Sequence, residues 1–289
     1  MILITGSTGN VGREVTKLLL ADGEEVAAVT RNPSAAALPG GAHVVGGDPS
    51  RPTTLARALH GIEAVFLSPR AVGSGTAELL ALLADQGAKR VTLISAVTVE
   101  YGGGYQRFAD AFKAVEDAVK ASGLAWTILR CADFAANTLV WAPQICATGV
   151  VRGAYGDAAT STIHERDIGT VAARTLVSAG HDGRSYVLTG PQSLTQRDKV
   201  RLIGEAIGRS LSWEEISPRQ VRHAMIAQGL PEEVPDRLLG YLADRVHQPG
   251  PSSTAVEQIL GRPARTFAGW AGEHAAAFEQ SAPRAWSDA

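Results

Sequence analysis

ITGSTGNVGREV, residues 4–15, narrows the fold of this chain more than any other stretch. It lies directly between a strand-like MILIT and an amphipathic helical run, with Gly6, Gly9 and Gly12 at G-x-x-G-x-x-G spacing. The first glycine permits a tight turn and the second lets the backbone approach a pyrophosphate. The third lets helix pack closely on strand, and the helix N-terminus then stabilises the anion. Thr8, Asn10 and Val11 complete this loop and the first helical turn. Such a triplet carries weight only inside a βαβ unit, and the downstream pattern supplies one.

Apolar, β-branched runs recur at 1–5, 25–30, 42–46, 62–67, 90–96, 125–130 and 184–189. Between them, helical periodicity occupies 10–22, 52–60, 74–87, 106–122, 134–147 and 167–179. Short strands separated by helices predict an α/β fold, a parallel sheet covered by helices on both faces. After Gly190 the pattern turns mostly helical: 193–209 with Thr195 as N-cap, then 218–228, 231–245, 253–260 and 266–280. LSWEEIS (211–217) interrupts them as a short strand. We therefore expect a dinucleotide-binding domain over 1–190, with 134–160 contributing to the substrate pocket. A smaller helical substrate domain over 191–289 caps the carboxyl ends of the strands, where open α/β sheets bind ligands.

Net charge is −2 over 289 residues, with no concentrated basic face, which argues against nucleic acid or an anionic membrane as partner. No apolar run reaches the ~18 residues that span a bilayer. The start shows no signal-peptide pattern, and the two cysteines, Cys131 and Cys146, form neither metal motif nor disulfide framework. A cytoplasmic protein with a small-molecule substrate is the expectation, and a homodimer through the C-terminal helices is compatible with it.

The second strand ends in VTRNP (29–33), where an NAD site would carry an acidic residue. Arg31 stands there instead and suits the 2′-phosphate of NADP(H). Asp48, in GGDPS, either accepts from the adenine amino group or caps the following helix. Leu67, Ser68 and Pro69 end the fourth strand and border the nicotinamide-side ribose.

These residues carry a resemblance to the NmrA-like group of atypical short-chain dehydrogenases, and within it to bacterial NADPH-dependent quinone reductases that need no metal. It rests on ITGSTGNVG, VTRNP, FKAVEDAVKASGLAWTILRCADFAAN (112–137), GHDGRSYVLTGPQSLT (180–195) and GRPARTFAGWAGEHAAAF (261–278), and covers nearly the whole chain. The resemblance implies a Rossmann-like, doubly wound sheet under a helical substrate domain, and NADPH as cofactor. The group holds true reductases and also catalytically silent sensors of the NADP state.

Short-chain dehydrogenases pair a strand Ser with a Tyr and a Lys four residues later, on one helix face. Ser95 and Lys113 fit that pattern here, but Ala109 occupies the Tyr position and cannot donate a proton. Lys113 is the catalytic candidate, orienting the nicotinamide ribose, with a solvated surface Lys as the alternative. Tyr101 and Tyr105 flank a GGG run and either swing in as donors or pack on neighbours. The resemblance places Phe134 and Asn137 beside the nicotinamide. Trp141 and His164 are further pocket candidates, and Asp167 is expected to cap its helix. Cys131 reads as a buried filler. The expected function is NADPH-dependent hydride transfer to a flat apolar electrophile, a quinone or enone. A silent NADP(H) sensor acting through a protein partner, or a cofactor-assisted isomerase or epimerase, is the alternative.

Overall fold

The computed structural model describes residues 1–102 and 106–279. Its strands are β1 (Ile2–Ile4), β2 (Val26–Thr30), β3 (His43–Gly46), β4 (Ala64–Leu67), β5 (Arg90–Ala96), β6 (Ala125–Cys131), β7 (Val150–Gly153), β8 (Ala159–Thr160), β9 (Arg184–Leu188), β10 (Leu194–Thr195) and β11 (Ser212–Glu215). Seven form one parallel sheet in the order β3-β2-β1-β4-β5-β6-β9. Every residue of β1, β2 and β4 is buried, as expected of parallel strands covered on both faces. The order reverses between β1 and β4, and that switch point opens the crevice in which such sheets hold their ligands.

The helices of this part of the chain are α1 (Asn10–Ala21), α2 (Pro69–Val72), α3 (Thr76–Asp85), α4 (Thr98–Tyr101), α5 (Gln106–Ala121), α6 (Ala142–Thr148) and α7 (Glu165–Val177). On one face, Val15 and Leu19 of α1 meet Ile168 and Val171 of α7 over Ile4, Phe66 and Leu129. On the other, Leu79 and Leu83 of α3 and Val119 of α5 cover Val65, Leu93 and Ile128.

Beyond β9 follow α8 (Gln196–Ala206), α9 (Pro218–Ala227), α10 (Glu233–His247), α11 (Ala255–Leu260) and α12 (Phe267–Glu273). Thr195 does cap α8, in a reciprocal box with Asp198. A third core joins Val200, Ile203, Phe267 and Trp270 to Ile145 and Val151 from the earlier part of the chain. β11 pairs in parallel with β7, while Ala255 and Val256 return to the first core.

Three expected helices differ, one being 266–280, which divides at His274 into Phe267–Glu273 and Ala275–Glu279. Residues 52–58 form a 3₁₀ turn opened by Pro52. The helix expected over 134–147 splits into a 3₁₀ segment, Ala135–Trp141, and α6. Pro143 has no N–H to continue the ladder and sits in the first turn of α6, where none is required.

Candidate cofactor and substrate site

The Gly-rich loop leaves β1 at the switch point. Gly6 adopts φ +65°, a conformation open to glycine at little cost, and a Cβ there would stand 3.0 Å from the Ser68 Cβ. A Cβ on Gly12 would overlap the Gly6 carbonyl oxygen, so the close approach of α1 to β1 requires glycine. Two buried hydroxyls hold the loop. Thr5 Oγ1 donates to the Phe66 carbonyl (3.0 Å) and accepts from the Ser68 N–H (2.8 Å), while Ser7 Oγ donates to the Val29 carbonyl (2.7 Å). Motif reading overlooked both, because small hydroxyl residues abound in loops.

Gly9 precedes α1, and no side chain caps that helix. Its first N–H groups and the positive end of its dipole are thus offered to an anion. The loop therefore fits a dinucleotide pyrophosphate. Val11 is buried against the sheet, whereas Thr8 and Asn10 are exposed at the loop edge. Arg13 fastens the loop rim by donating to the Ala37 and Thr8 carbonyls, a second residue that the motif did not signal.

Arg31 is exposed at the end of β2. Asp48 faces it across the β3 end. Hydrogen bonds from the Ser50 hydroxyl and N–H lower the Asp48 pKa most, with Arg31 and Arg51 adding to the effect. Of its two expected uses, the helix cap is not made: Arg51 precedes the 3₁₀ segment, which no side chain caps. The carboxylate opens a turn at Ser50. Leu67 is fully buried, and Pro69 begins α2.

The Ser–Tyr–Lys positions do not converge. Ala109 is buried at the expected place. The Ser95 hydroxyl, also buried, donates to Glu116 Oε1 (2.8 Å) and is turned toward α5. Glu116 in turn holds Arg130 by two bonds (2.9 and 2.7 Å), and Arg130 reaches Glu100 (2.6 Å). Burial pushes the Glu116 carboxyl up, but the bonds from Arg130 and Ser95 outweigh it and hold the carboxyl below its ordinary value. Lys113 lies on the solvent side of α5, 61% exposed, with Nζ 2.6 Å from Asp117. Its ammonium is separate from the crevice in this arrangement.

Other expected residues also have structural partners. His164 is buried and caps α7, its Nδ1 accepting from the Arg166 N–H (3.1 Å) and its Nε2 facing Glu273 (3.3 Å). It therefore does not line a substrate mouth. Asp167 is not the cap. Fully buried, it binds Arg262 Nη2 (2.8 Å) and the Arg265 N–H (2.6 Å), tying the GRPAR segment to α7. Trp141 packs edge-on against Trp213 at 6.0 Å, beside the third core. Phe134 sits at the β6 exit, bridged to Ile163, with Asn137 exposed beyond it. Tyr101 is 48% exposed on α4, and Tyr105 lies outside the described residues. Cys131 is buried, and burial pushes its thiol pKa far up, against a nucleophilic role.

Sequence reading missed the face that α10 lays over the crevice. Arg237, Tyr241 and Arg245 recur at four-residue intervals. Arg245 is buried and donates to the Gly102 carbonyl (3.4 Å). Burial raises the Tyr241 phenol pKa, and the nearby Asp133 charge adds to the shift. Asp133 itself follows β6. Its Oδ2 accepts from Lys199 (3.1 Å), Thr160 (3.0 Å) and Thr162 (2.9 Å), while its buried Oδ1 has no partner among the described residues. Those described residues contain no cluster able to hold a metal, and no helix long and apolar enough to cross a membrane.

Residues 6–179 match a family model described as NAD(P)H-binding. The chain belongs to this NAD(P)H-binding family. It is 36% identical, over 96% of its length and 99% of the relative's, to the (4-alkanoyl-5-oxo-2,5-dihydrofuran-3-yl)methyl phosphate reductase of Streptomyces griseus. An NAD(P)H azoreductase of Xenophilus azovorans is 32% identical, over 96% and 99% of the two chains. Among solved structures, the NADPH-dependent quinone oxidoreductase of Escherichia coli, complexed with NADPH, superposes with a TM-score of 0.80 at 25% identity, covering 94% and 99%. The chain is thus an NAD(P)H-dependent oxidoreductase of the atypical short-chain type, as its resemblance implied.

Proposed function

We propose that the protein reduces a flat, conjugated carbonyl acceptor, a quinone or an enone such as an acyl butenolide, with NADPH preferred over NADH. One observation carries the reading: the acid system for simple ketones is missing. Ala109 replaces the donor, and the Ser95 hydroxyl is committed to Glu116.

When bound, the reduced nicotinamide supplies a hydride. The protein's part is then to bind, orient and exclude water. The Gly6–Gly12 loop and the uncapped α1 terminus hold the pyrophosphate, and Arg31 takes the 2′-phosphate. Asp133 and Phe134 form the floor at the β6 exit, and α10 forms the roof. A ketone needs an acid at its oxygen as charge builds there. A quinone or enone spreads that charge over a conjugated system, so the phenolate or enolate leaves to take its proton from water. Tyr241, protonated throughout the neutral range, offers a hydrogen bond to the acceptor oxygen without having to ionise. Lys113 contributes only if it leaves Asp117.

The relatives' names support this range. One reduces an oxo-dihydrofuran bearing an alkanoyl group, and another is a quinone oxidoreductase. The test is NADPH oxidation against benzoquinones, naphthoquinones, acyl butenolides and saturated ketones, with NADPH and NADH binding titrated in parallel. Turnover of conjugated acceptors with saturated ketones inert supports the proposal. Tight NADPH binding with every acceptor inert would replace it with a sensor of the NADP state.

A further inference from the structure

We propose that Arg13 sets the preference for NADPH over NADH as a positioning residue, a clasp that pins the loop carrying Arg31 against the Gly-rich loop. This rests on the assignment of the 2′-phosphate to Arg31 and names the residue that holds that contact in place.

The loop begins at Arg31, directly after β2, and returns to the sheet at β3. Residues 31–35 and 37 are exposed. Its own bonds are short-range. The Asn32 carbonyl accepts from the Ala35 N–H (3.3 Å), and the Ala36 carbonyl from the Leu38 N–H (2.8 Å). Ser34 Oγ donates to Asn32 Oδ1 (2.9 Å). Such bonds shape the loop without fastening it to the rest of the molecule. Pro33, near its start, rests on Gly46 of β3, where a Cβ would stand 2.9 Å from Pro33 Cγ. Among the described residues, one hydrogen bond joins residues 33–40 to anything outside the loop. Arg13 makes it, donating from Nη1 to the Ala37 carbonyl.

The same guanidinium donates from Nη2 to the Thr8 carbonyl of the Gly-rich loop (3.2 Å). Its base is rigid, because Arg13 lies on α1 with its N–H bonded to the Gly9 carbonyl (3.0 Å). Planar and forked, the guanidinium spans two carbonyls from different walls, a geometry that the single ammonium of lysine lacks. Among the described residues no carboxylate pairs with Arg13, so nothing competes with those carbonyls. The Gly-rich wall is itself fixed to the end of β2 by Ser7 Oγ on the Val29 carbonyl (2.7 Å). Contacts thus run without a break from the Gly-rich loop through Arg13 to Ala37, a few residues beyond Arg31.

Apparent affinity scales with the fraction of molecules in the binding-competent state. An exposed loop without the clasp samples many arrangements, and ordering it around the 2′-phosphate costs entropy at the moment of binding. The clasp orders the loop beforehand. NADH makes no 2′-phosphate contact, so the gain falls to NADPH.

The experiment titrates NADPH and NADH by fluorescence into wild type, Arg13→Met, Arg13→Lys, Arg31→Ser and the Arg13→Met/Arg31→Ser double variant. Amide exchange over residues 32–40 is followed in the cofactor-free proteins. Arg13→Met should weaken NADPH by about 5- to 20-fold and NADH by less than about twofold. Exchange at Ala35 and Leu38 should quicken. Arg13→Lys, which keeps the charge and loses the fork, should behave like Arg13→Met. In the Arg31→Ser background, Arg13→Met should cost NADPH little more, because it acts through Arg31. An unchanged preference in Arg13→Met, with the preference lost in Arg31→Ser, would overturn the clasp and leave Arg31 on the phosphate. Full rescue by lysine, additive losses in the double variant, or weakened NADPH with unchanged exchange would also overturn it. Each would make Arg13 an independent charge at the site. Equal affinities for NADPH and NADH in wild type would remove the Arg31 assignment and the clasp's role with it. Should Arg13→Met fail to fold, Arg13→Lys carries the same comparisons.

Discussion

Lys199 Nζ lies 3.1 Å from Asp133 Oδ2 and 2.6 Å from Thr160 Oγ1, and the lysine is 1% exposed. This buried pair fastens α8, the first helix after the sheet, to the loop that leaves β6. Removing one partner strands the other in a poorly solvated place. Lys199→Met should therefore cost about 3 kcal/mol of stability, as read by denaturant unfolding. Adding Asp133→Asn should recover part of the loss. A single variant as stable as wild type would show that the carboxylate is already compensated by the threonines.

Arg31 is an exposed arginine whose charge reaches Asp48. Arg31→Ser should weaken NADPH binding by about tenfold or more and leave NADH within about twofold. Fluorescence titration of both cofactors separates the cases. Equal weakening of the two would place Arg31 outside the 2′-phosphate contact.

Lys113 pairs with Asp117 in solvent, an arrangement that contributes about 0–1 kcal/mol. Lys113→Ala should change stability, NADPH affinity and kcat only slightly, kcat by less than about threefold. A kcat loss beyond about tenfold would mean that the lysine abandons Asp117 for the ribose when cofactor binds. Asp117→Asn, which frees the ammonium, should then raise cofactor affinity.

Tyr241 should act as a hydrogen-bond donor that never ionises in the working range. Tyr241→Phe is expected to lower kcat for enones by roughly tenfold, with a smaller effect on quinones. Because the phenol stays protonated, its removal should not shift the pH profile. A moved alkaline limb would instead point to a titrating tyrosine.

Glu116 gives an acid-side signature. Its carboxyl is held below its ordinary value of 4.5, so its stabilisation is complete above that pH and fades as pH falls through the lower folded value. Glu116→Gln should be less stable than wild type at neutral pH, and the gap in Tm should narrow below about pH 4.5. A gap independent of pH would mean that packing, rather than charge, accounts for the difference.

Much of the cofactor half was legible in the residues themselves. The Gly6–Gly12 spacing, the short β-branched strands and the Thr195 cap rely on turn geometry and periodicity within a few residues of each other, so sequence order displays them directly. The absent donor at position 109 was equally plain. The orientation of α5 was less so. The i, i+4 pattern put Ala109 and Lys113 on one face, yet helix rotation buries Ala109 and Glu116 and leaves Lys113 in water. That rotation is set by Arg130 and Ser95, which arrive from neighbouring strands. His164 and Asp167 likewise take their roles from Glu273, Arg262 and Arg265, about a hundred residues on. The α10 roof, with Arg245 reaching the Gly102 carbonyl, depends on where a distant helix lands. Local pattern thus determined the strands, the helices between them and the nucleotide loop. Only the tertiary structure decided which charges meet over the crevice, because long-range pairing of charges leaves no periodic trace along the chain.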